Sequence, residues 1–181
     1  MPIPEFDLVT NILPPFQGSP TNALNMAPYR CRFEEVESRL GTSPERLAIL
    51  LGLCEFRAEL RSLGIIGFQW FDGSFVEHCE AQRGRSPGDI DVVTFIDASC
   101  SKETVMKVIQ EPRFNPPLSK QTFRTDSYFI YLGDISRTVI RSTTFWYGFF
   151  SHRRDDFLWK GMLEIPLQLG DQDLFSVRSG S

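Results

Sequence analysis

The stretch Ile65-Ile66-Gly67-Phe68-Gln69-Trp70-Phe71-Asp72-Gly73-Ser74, with Asp89-Ile90-Asp91-Val92-Val93-Thr94-Phe95-Ile96 after it, decides how this chain is read. Ile65–Phe71 is a short apolar run with aromatics between Gly64 and Gly73, which predicts a buried strand. Asp89–Ile96, rich in Ile, Val and Phe, predicts a second strand. Upstream, Ser43 suits a helix N-cap and Pro44 the first helical position. Leu47, Leu50, Leu51, Cys54 and Ala58 then recur on one face until Gly64 stops the helix. A shorter helix is expected over Phe33–Leu40, ended by Gly41. Downstream, Ser101–Gln110 reads as a helix closed by Pro112, and Pro116-Pro117 as a loop. Phe123–Leu132 reads as a third strand with Asp126, Tyr128, Ile130 and Leu132 on one side. Leu163, Ile165, Leu167 and Leu169 alternate with Glu164, Pro166 and Gln168, which predicts a half-exposed strand that Pro166 pushes to an edge.

This alternation predicts an α+β (α/β-like) domain around one mixed sheet flanked by helices. Residues 1–30 are expected to form an extended N-terminal arm carrying Phe6, Leu8, Ile12, Leu13 and Phe16, and residues 31–181 a single domain. Over 181 residues, hydrophobic side chains make up 41% and charged ones 23%, a balance that excludes wholesale disorder and coiled coil. No apolar stretch approaches the roughly 20 residues a membrane span needs, so no membrane association is expected. With 19 basic against 23 acidic residues, the chain lacks the strongly basic footprint of a constitutive nucleic-acid coat. Cys31, Cys54, Cys79 and Cys100 are scattered with no Cys-x-x-Cys pair, so reduced thiols and a cytoplasmic location are expected.

Three features line up in this scheme. Gly73 and Ser74 follow the first strand, where a glycine lets backbone approach a phosphate and the next hydroxyl and free N–H groups donate to the anion; the competing reading is an ordinary turn with a serine cap. Asp89 and Asp91 are two apart on a strand, so both carboxylates share a side and repel unless a divalent cation sits between them. A chain with this many aspartates carries about one Asp-x-Asp pair by chance, and a second, Asp171 and Asp173, reads as a solvated tail. Asp126, on the following strand, completes a carboxylate trio of the kind that holds two metal ions; its plainer reading is a strand-end residue capping a turn. Asp134 is the fallback, in what reads as a turn with Gly133.

Gly73-Ser74, then Asp89-x-Asp91, then a single aspartate on a later strand resembles the DNA polymerase beta-like nucleotidyltransferase superfamily. Within it, the chain resembles the minimal nucleotidyltransferases of prokaryotic toxin–antitoxin and phage-defence operons. The resemblance spans Ile65 to Leu132. It implies the nucleotidyltransferase fold, with a nucleoside triphosphate and two Mg²⁺ ions (or Mn²⁺) at the sheet's open end. By the resemblance, Gly73 and Ser74 hold the triphosphate and Asp89 and Asp91 ligate both metals. Asp126 ligates the catalytic metal and accepts the proton of the attacking hydroxyl. The loop before Asp89 is longer than is usual in the family; it either bends away or adds Arg83 and Arg85 to the phosphate site.

Toward the C-terminus, Phe145-Trp146-Tyr147-Gly148-Phe149-Phe150 precedes Ser151-His152-Arg153-Arg154. This reads either as core aromatics followed by an exposed turn or as a surface that stacks on a base and neutralises phosphate. Lys160 is a candidate to reach a triphosphate as a point charge. His78 and His152 read as ordinary polar side chains. The expected activity is Mg²⁺-dependent transfer of a nucleoside monophosphate to a hydroxyl on a protein side chain, an RNA end (a tRNA end included) or another nucleotide. The alternative is a regulatory or antitoxin-like partner of a toxin or effector with the same fold and little catalysis. A chance coincidence of these residues in an unrelated α/β domain is the third reading.

Overall fold

The computed structural model describes residues 3–168. Its centre is a five-stranded mixed sheet in the order β1 (Tyr29–Arg30), β5 (Leu163–Pro166), β2 (Gly67–Asp72), β3 (Ile90–Ile96) and β4 (Thr125–Tyr131). β2 is antiparallel to β3 and β5, while β3–β4 and β1–β5 run parallel. Six helices join and cover the strands: α1 (Phe33–Leu40), α2 (Pro44–Ser62), α3 (Cys79–Arg83), α4 (Lys102–Gln110), α5 (Leu118–Phe123) and α6 (Ser136–Phe150). The protein is thus α+β, a mixed sheet flanked by helices.

α2 forms where the caps predict it: Ser43 Oγ accepts from the Arg46 N–H at 3.2 Å and Pro44 opens the first turn. Its buried face carries Ile49, Leu50, Leu53, Phe56 and Leu60, but also Arg46 and Arg57. The apolar spacing Leu47, Leu51, Ala58 therefore marks the flank of the buried stripe. Counting apolar residues alone rotates the face away from its two inward arginines. Arg57 is held by the Gln69 side chain at 2.6 Å and the Pro166 carbonyl at 2.9 Å, so its buried charge is hydrogen-bonded, as burial demands.

Period-two alternation sorts the sheet into two faces. Gln69, Phe71, Val92, Thr94 and Phe129 face α2, where Phe56 packs on Phe114, Phe123 and Phe129. Phe68, Trp70, Phe95 and Tyr128 face the other way, under α6, through the ring pairs Tyr128–Trp146 and Trp70–Tyr147. The carboxylates expected to carry chemistry lie on the α6 face, on the side of the sheet away from α2.

Two expectations change. The strand over Leu163–Pro166 is not at the edge: β1 pairs along its outer side, Tyr29 beside Leu163 and Arg30 beside Glu164. Pro166 is tolerated because its nitrogen points toward the side where β1 has ended, while Leu167 N–H continues the ladder to the Gly67 carbonyl. The aromatic run Phe145–Phe150 is the end of a helix, Ser136–Phe150, that the sequence reading did not anticipate, with Phe150 alone fully buried, Trp146 and Tyr147 half-buried, and Phe145 and Phe149 exposed. The end of the alternating run, Leu169, and the pair Asp171 and Asp173 lie outside the described residues. Ahead of β1 the chain packs along the domain: Ile12 and Leu13 are buried, with Asn11 O accepting from His78 N–H and Leu13 O from Gly161 N–H. Leu8, in contrast, is 95% exposed. No helix among the described residues is long and apolar enough to cross a membrane.

Gly52 marks the closest approach of α2 to the end of α5, where an added Cβ would lie 2.3 Å from the Phe123 carbonyl oxygen. Alanine gains about 1 kcal/mol over glycine in a helix, but overpacking against backbone costs about 1–3 kcal/mol. Gly52→Ala is therefore expected to lower unfolding stability by up to about 2 kcal/mol in urea titration; a stabilised variant contradicts this packing.

Candidate active site

β2 ends where β3 and β4 begin, and the register there sets Asp72 opposite Asp91 and Asp91 beside Asp126. Three carboxylates thus stand abreast on one face of three adjacent strands. Asp89, two residues before Asp91, joins them at the mouth of a cleft of about 220 Å³. Gly73, Ser74, Arg83, Arg85, Lys120, His152, Arg154 and Lys160 also line it. Gly73, Ser74, Asp89, Asp91, Asp126 and Lys160, singled out from the sequence, therefore line one space, while the fallback Asp134 does not.

Like charges side by side repel, and three cations offset them. Lys120 Nζ lies 2.7 Å from Asp89 Oδ2 and 2.8 Å from Asp126 Oδ2, bridging the two. Its position follows from the backbone: α5 ends at Arg124, whose φ of 54° is left-handed, and the chain doubles back into β4 so that Lys120 faces Asp126. Burial acts to lower the Lys120 pKa, but hydrogen bonds to Asp126 and Asp89 outweigh it and raise it. Arg154 reaches Asp91 Oδ2 at 3.5 Å from a largely exposed position. Asp91 is the least compensated: burial first, then the charges of Asp126 and Asp89, against the pull of Arg154, push its carboxyl up to about 6.

Deeper in, Lys160 is 2% exposed, with Nζ 2.7 Å from Asp72 Oδ1 and 3.1 Å from Glu77 Oε1. Burial pushes the Asp72 carboxyl up, to about 7, against the opposing charge of Lys160. The lysine expected to reach out to a triphosphate is thus engaged at the floor of the cleft, beneath the turn.

The turn itself is held from below. Gly73 has φ of 79°, and a Cβ there would lie 2.5 Å from Asp91 Oδ2, so only glycine lets strand and turn meet at this point. The chain continues as a short 3₁₀ segment, Gly73–Val76, and Ser74 stays partly exposed in the cleft. Arg46, 2% exposed on α2, donates to the Phe75 carbonyl at 2.7 Å, the Glu77 carbonyl at 2.6 Å and both Glu80 carboxylate oxygens at 2.7 and 2.9 Å.

The match of the residues to a divalent cation can be judged from their donors. Asp126 Oδ1 is buried with no hydrogen-bond partner among the described residues, and Asp91 carries an uncompensated anionic burden. Both suit a hard cation, which takes oxygen ligands. Among the described residues no three acidic, His or Cys side chains already converge as a ligand cage, since Lys120 occupies the position between Asp89 and Asp126. The carboxylates fit, provided that ammonium moves aside.

Sequence reasoning missed Asp72, Glu77, Lys120 and Arg46. Asp72 was legible in the alternation Phe68, Trp70, Asp72; no local signal marks Lys120 or Arg46. His78 lies outside the cleft, stacked on Phe6, and His152 is at its rim with Nδ1 3.0 Å from the Gly148 carbonyl.

Residues 4–166 match a protein family described as "Family of unknown function (DUF6932)". The chain belongs to this family. No curated protein and no solved structure matches it. For this DUF6932 protein the cleft is therefore the guide to chemistry.

Two outcomes follow. The folded chain holds the Asp91 proton more tightly than the unfolded chain, so stability is greatest with it bound and falls as pH rises from about 4 through about 6. Asp91→Asn removes that loss and is expected to gain about 2–3 kcal/mol over the parent at pH 8, with little gain at pH 4, in urea melts. Arg46→Ala leaves Glu80 and two carbonyls without their donor, and a loss of about 3 kcal/mol is expected in the same assay.

Proposed function

We propose that this protein is a metal-dependent nucleotidyltransferase of the polymerase beta-like fold, moving a nucleoside monophosphate from an NTP to a hydroxyl. The observation that carries the reading is the register alignment of Asp91 with Asp126 beside the Gly73-Ser74 turn, with Asp89 at the same mouth. A phosphate-holding bend and a carboxylate trio on one cleft are what phosphoryl transfer needs, since positioning and electrostatics do most of that catalysis.

In this reading Asp89, Asp91 and Asp126 hold two Mg²⁺, with Mn²⁺ as a substitute. Bound there, the metal supplies charge neutralisation of the triphosphate and a lowered pKa for the attacking hydroxyl. Asp126, with its unpartnered Oδ1, takes that hydroxyl's proton. The acceptor oxygen forms a bond to the α-phosphorus, the bond from that phosphorus to the bridging oxygen breaks, and pyrophosphate leaves. The Ser74 hydroxyl and the backbone of the turn bind the triphosphate, and Arg83, Arg85 and Arg154, all on the cleft, orient and neutralise it. Lys160, with Arg83 on the other Glu77 oxygen, offsets the charge of Asp72 and Glu77 under the turn, and Lys120 swings from the carboxylates toward the anion. The protein works in the cytoplasm, where four free, buried cysteines are at home.

A second reading, a regulatory partner of a toxin or effector with this fold and little catalysis, draws on Lys120, whose ammonium already satisfies two of the three carboxylates. The same experiment separates them. With Mg²⁺ and an NTP at about 100 times its dissociation constant, binding to the folded state is expected to add about 2.7 kcal/mol of stability. Labelled NMP is expected on an acceptor, and Asp89→Ala with Asp91→Ala is expected to reduce transfer to background. Transfer that survives the double change sinks the metal assignment; nucleotide binding without turnover favours the regulator.

A further inference from the structure

Among the described residues α6 is the least covered helix, with Phe150 its one buried residue, and its exposed side is neither uniformly apolar nor mixed in charge. From Ile135 to Arg154 the chain has no acidic residue. Arg137, Arg141, Phe145 and Phe149 follow one another at four-residue steps, each step about 6 Å along the helix axis. Phe145 is 61% and Phe149 41% exposed, and their rings are parallel within 10° at 5.9 Å. Arg154 extends the row: its guanidinium lies 4.7 Å from the Phe149 ring centre and 3.5 Å from Asp91 Oδ2. The ridge therefore runs from open surface into the mouth of the acidic cleft. Neither Arg137 nor Arg141 is paired with a carboxylate among the described residues.

We propose that the α6 ridge binds single-stranded nucleic acid and leads its end into the cleft as the acceptor. Arginines that neutralise phosphates, interleaved with exposed rings that stack on bases, are the two components of sequence-tolerant single-strand binding. Charge selects this occupant over a second copy of the chain, which would set one acid-free, arginine-bearing ridge against another. The net charge of −4 is carried elsewhere, so the ridge is a local basic track on an acidic protein. The inference deepens the nucleotidyltransferase reading and rests on it for what the bound end is used for.

The test is fluorescence anisotropy of labelled oligouridylate and oligothymidylate dodecamers with the full chain, in the absence of NTP. Binding of at least one strand is expected, weakening with salt. Arg137→Glu with Arg141→Glu is expected to weaken it about tenfold or more and to reduce the slope against log salt by about 1.4, two phosphates at about 0.7 each. Phe145→Ser with Phe149→Ser is expected to weaken it by about tenfold or more through lost stacking. RNA and DNA arms identify which strand is preferred, and binding of either supports the ridge. All these side chains are exposed, and an unchanged melting temperature shows that the variants fold. No binding by either strand at low salt overturns the proposal, as does unchanged binding by both ridge variants. A dimer in sedimentation that the phenylalanine variant dissolves also overturns it. Asp91→Asn separates the two readings: it is expected to bind the strand at least as well as the parent while losing transfer. Strand binding that follows the ridge without any transfer removes the enzyme and leaves the surface. Transfer to another acceptor without strand binding does the reverse.

Discussion

Sheet pairing forces the acidic end of this molecule into being. Once β2, β3 and β4 pair in their observed register, Asp72, Asp91 and Asp126 have nowhere to go but side by side on one face. Opposed like charges destabilise a sheet, and here the pairing is imposed from the interior by Val92, Phe71, Phe129 and their neighbours under α2. The rest of the site is the response. Lys160 lies beneath Asp72, Lys120 across Asp89 and Asp126, and Arg154 over Asp91. Each comes from a different part of the chain. The cleft is thus a place where anions are fixed by strands and cations are delivered by loops and a short helix, the more movable part of the architecture.

The two faces of the sheet divide the labour. The face toward α2 is filled with aromatic and branched side chains plus two fully hydrogen-bonded arginines, and it supplies cohesion. The face toward α6 is covered by half-buried rings and ends in carboxylates. The like-charge repulsion is thus confined to one end of one face, and the packing on the other face does not bear it.

Much of this was legible in the sequence, and the reasons for the gaps are physical. Strands with strict alternation announce which residues share a face, so Asp89 and Asp91 could be grouped from parity, while Asp126 joins them only through the register of β3 with β4. The helix cap at Ser43 announces a start because its hydroxyl replaces a missing backbone partner, and Ser101 plays the same part ahead of α4. Pairing between distant segments leaves no local trace. The two-residue strand Tyr29–Arg30 could not be seen, and without it the strand of Pro166 looked like an edge. Lys120 and Arg46 are defined by what folds against them. α6 escaped because its apolar residues do not form one stripe: Val139, Trp146, Tyr147 and Phe150 turn inward while Ile140, Phe145 and Phe149 remain outside.

Arg46 joins the apolar centre to the bend after β2. Because one guanidinium grips the Phe75 and Glu77 carbonyls while its helix is locked into the core, the bend cannot shift relative to α2 without breaking those hydrogen bonds. A rim of that kind cannot mould itself around whatever arrives. The cleft thus joins one wall of preset shape to another whose lysine and arginine side chains are its adaptable part.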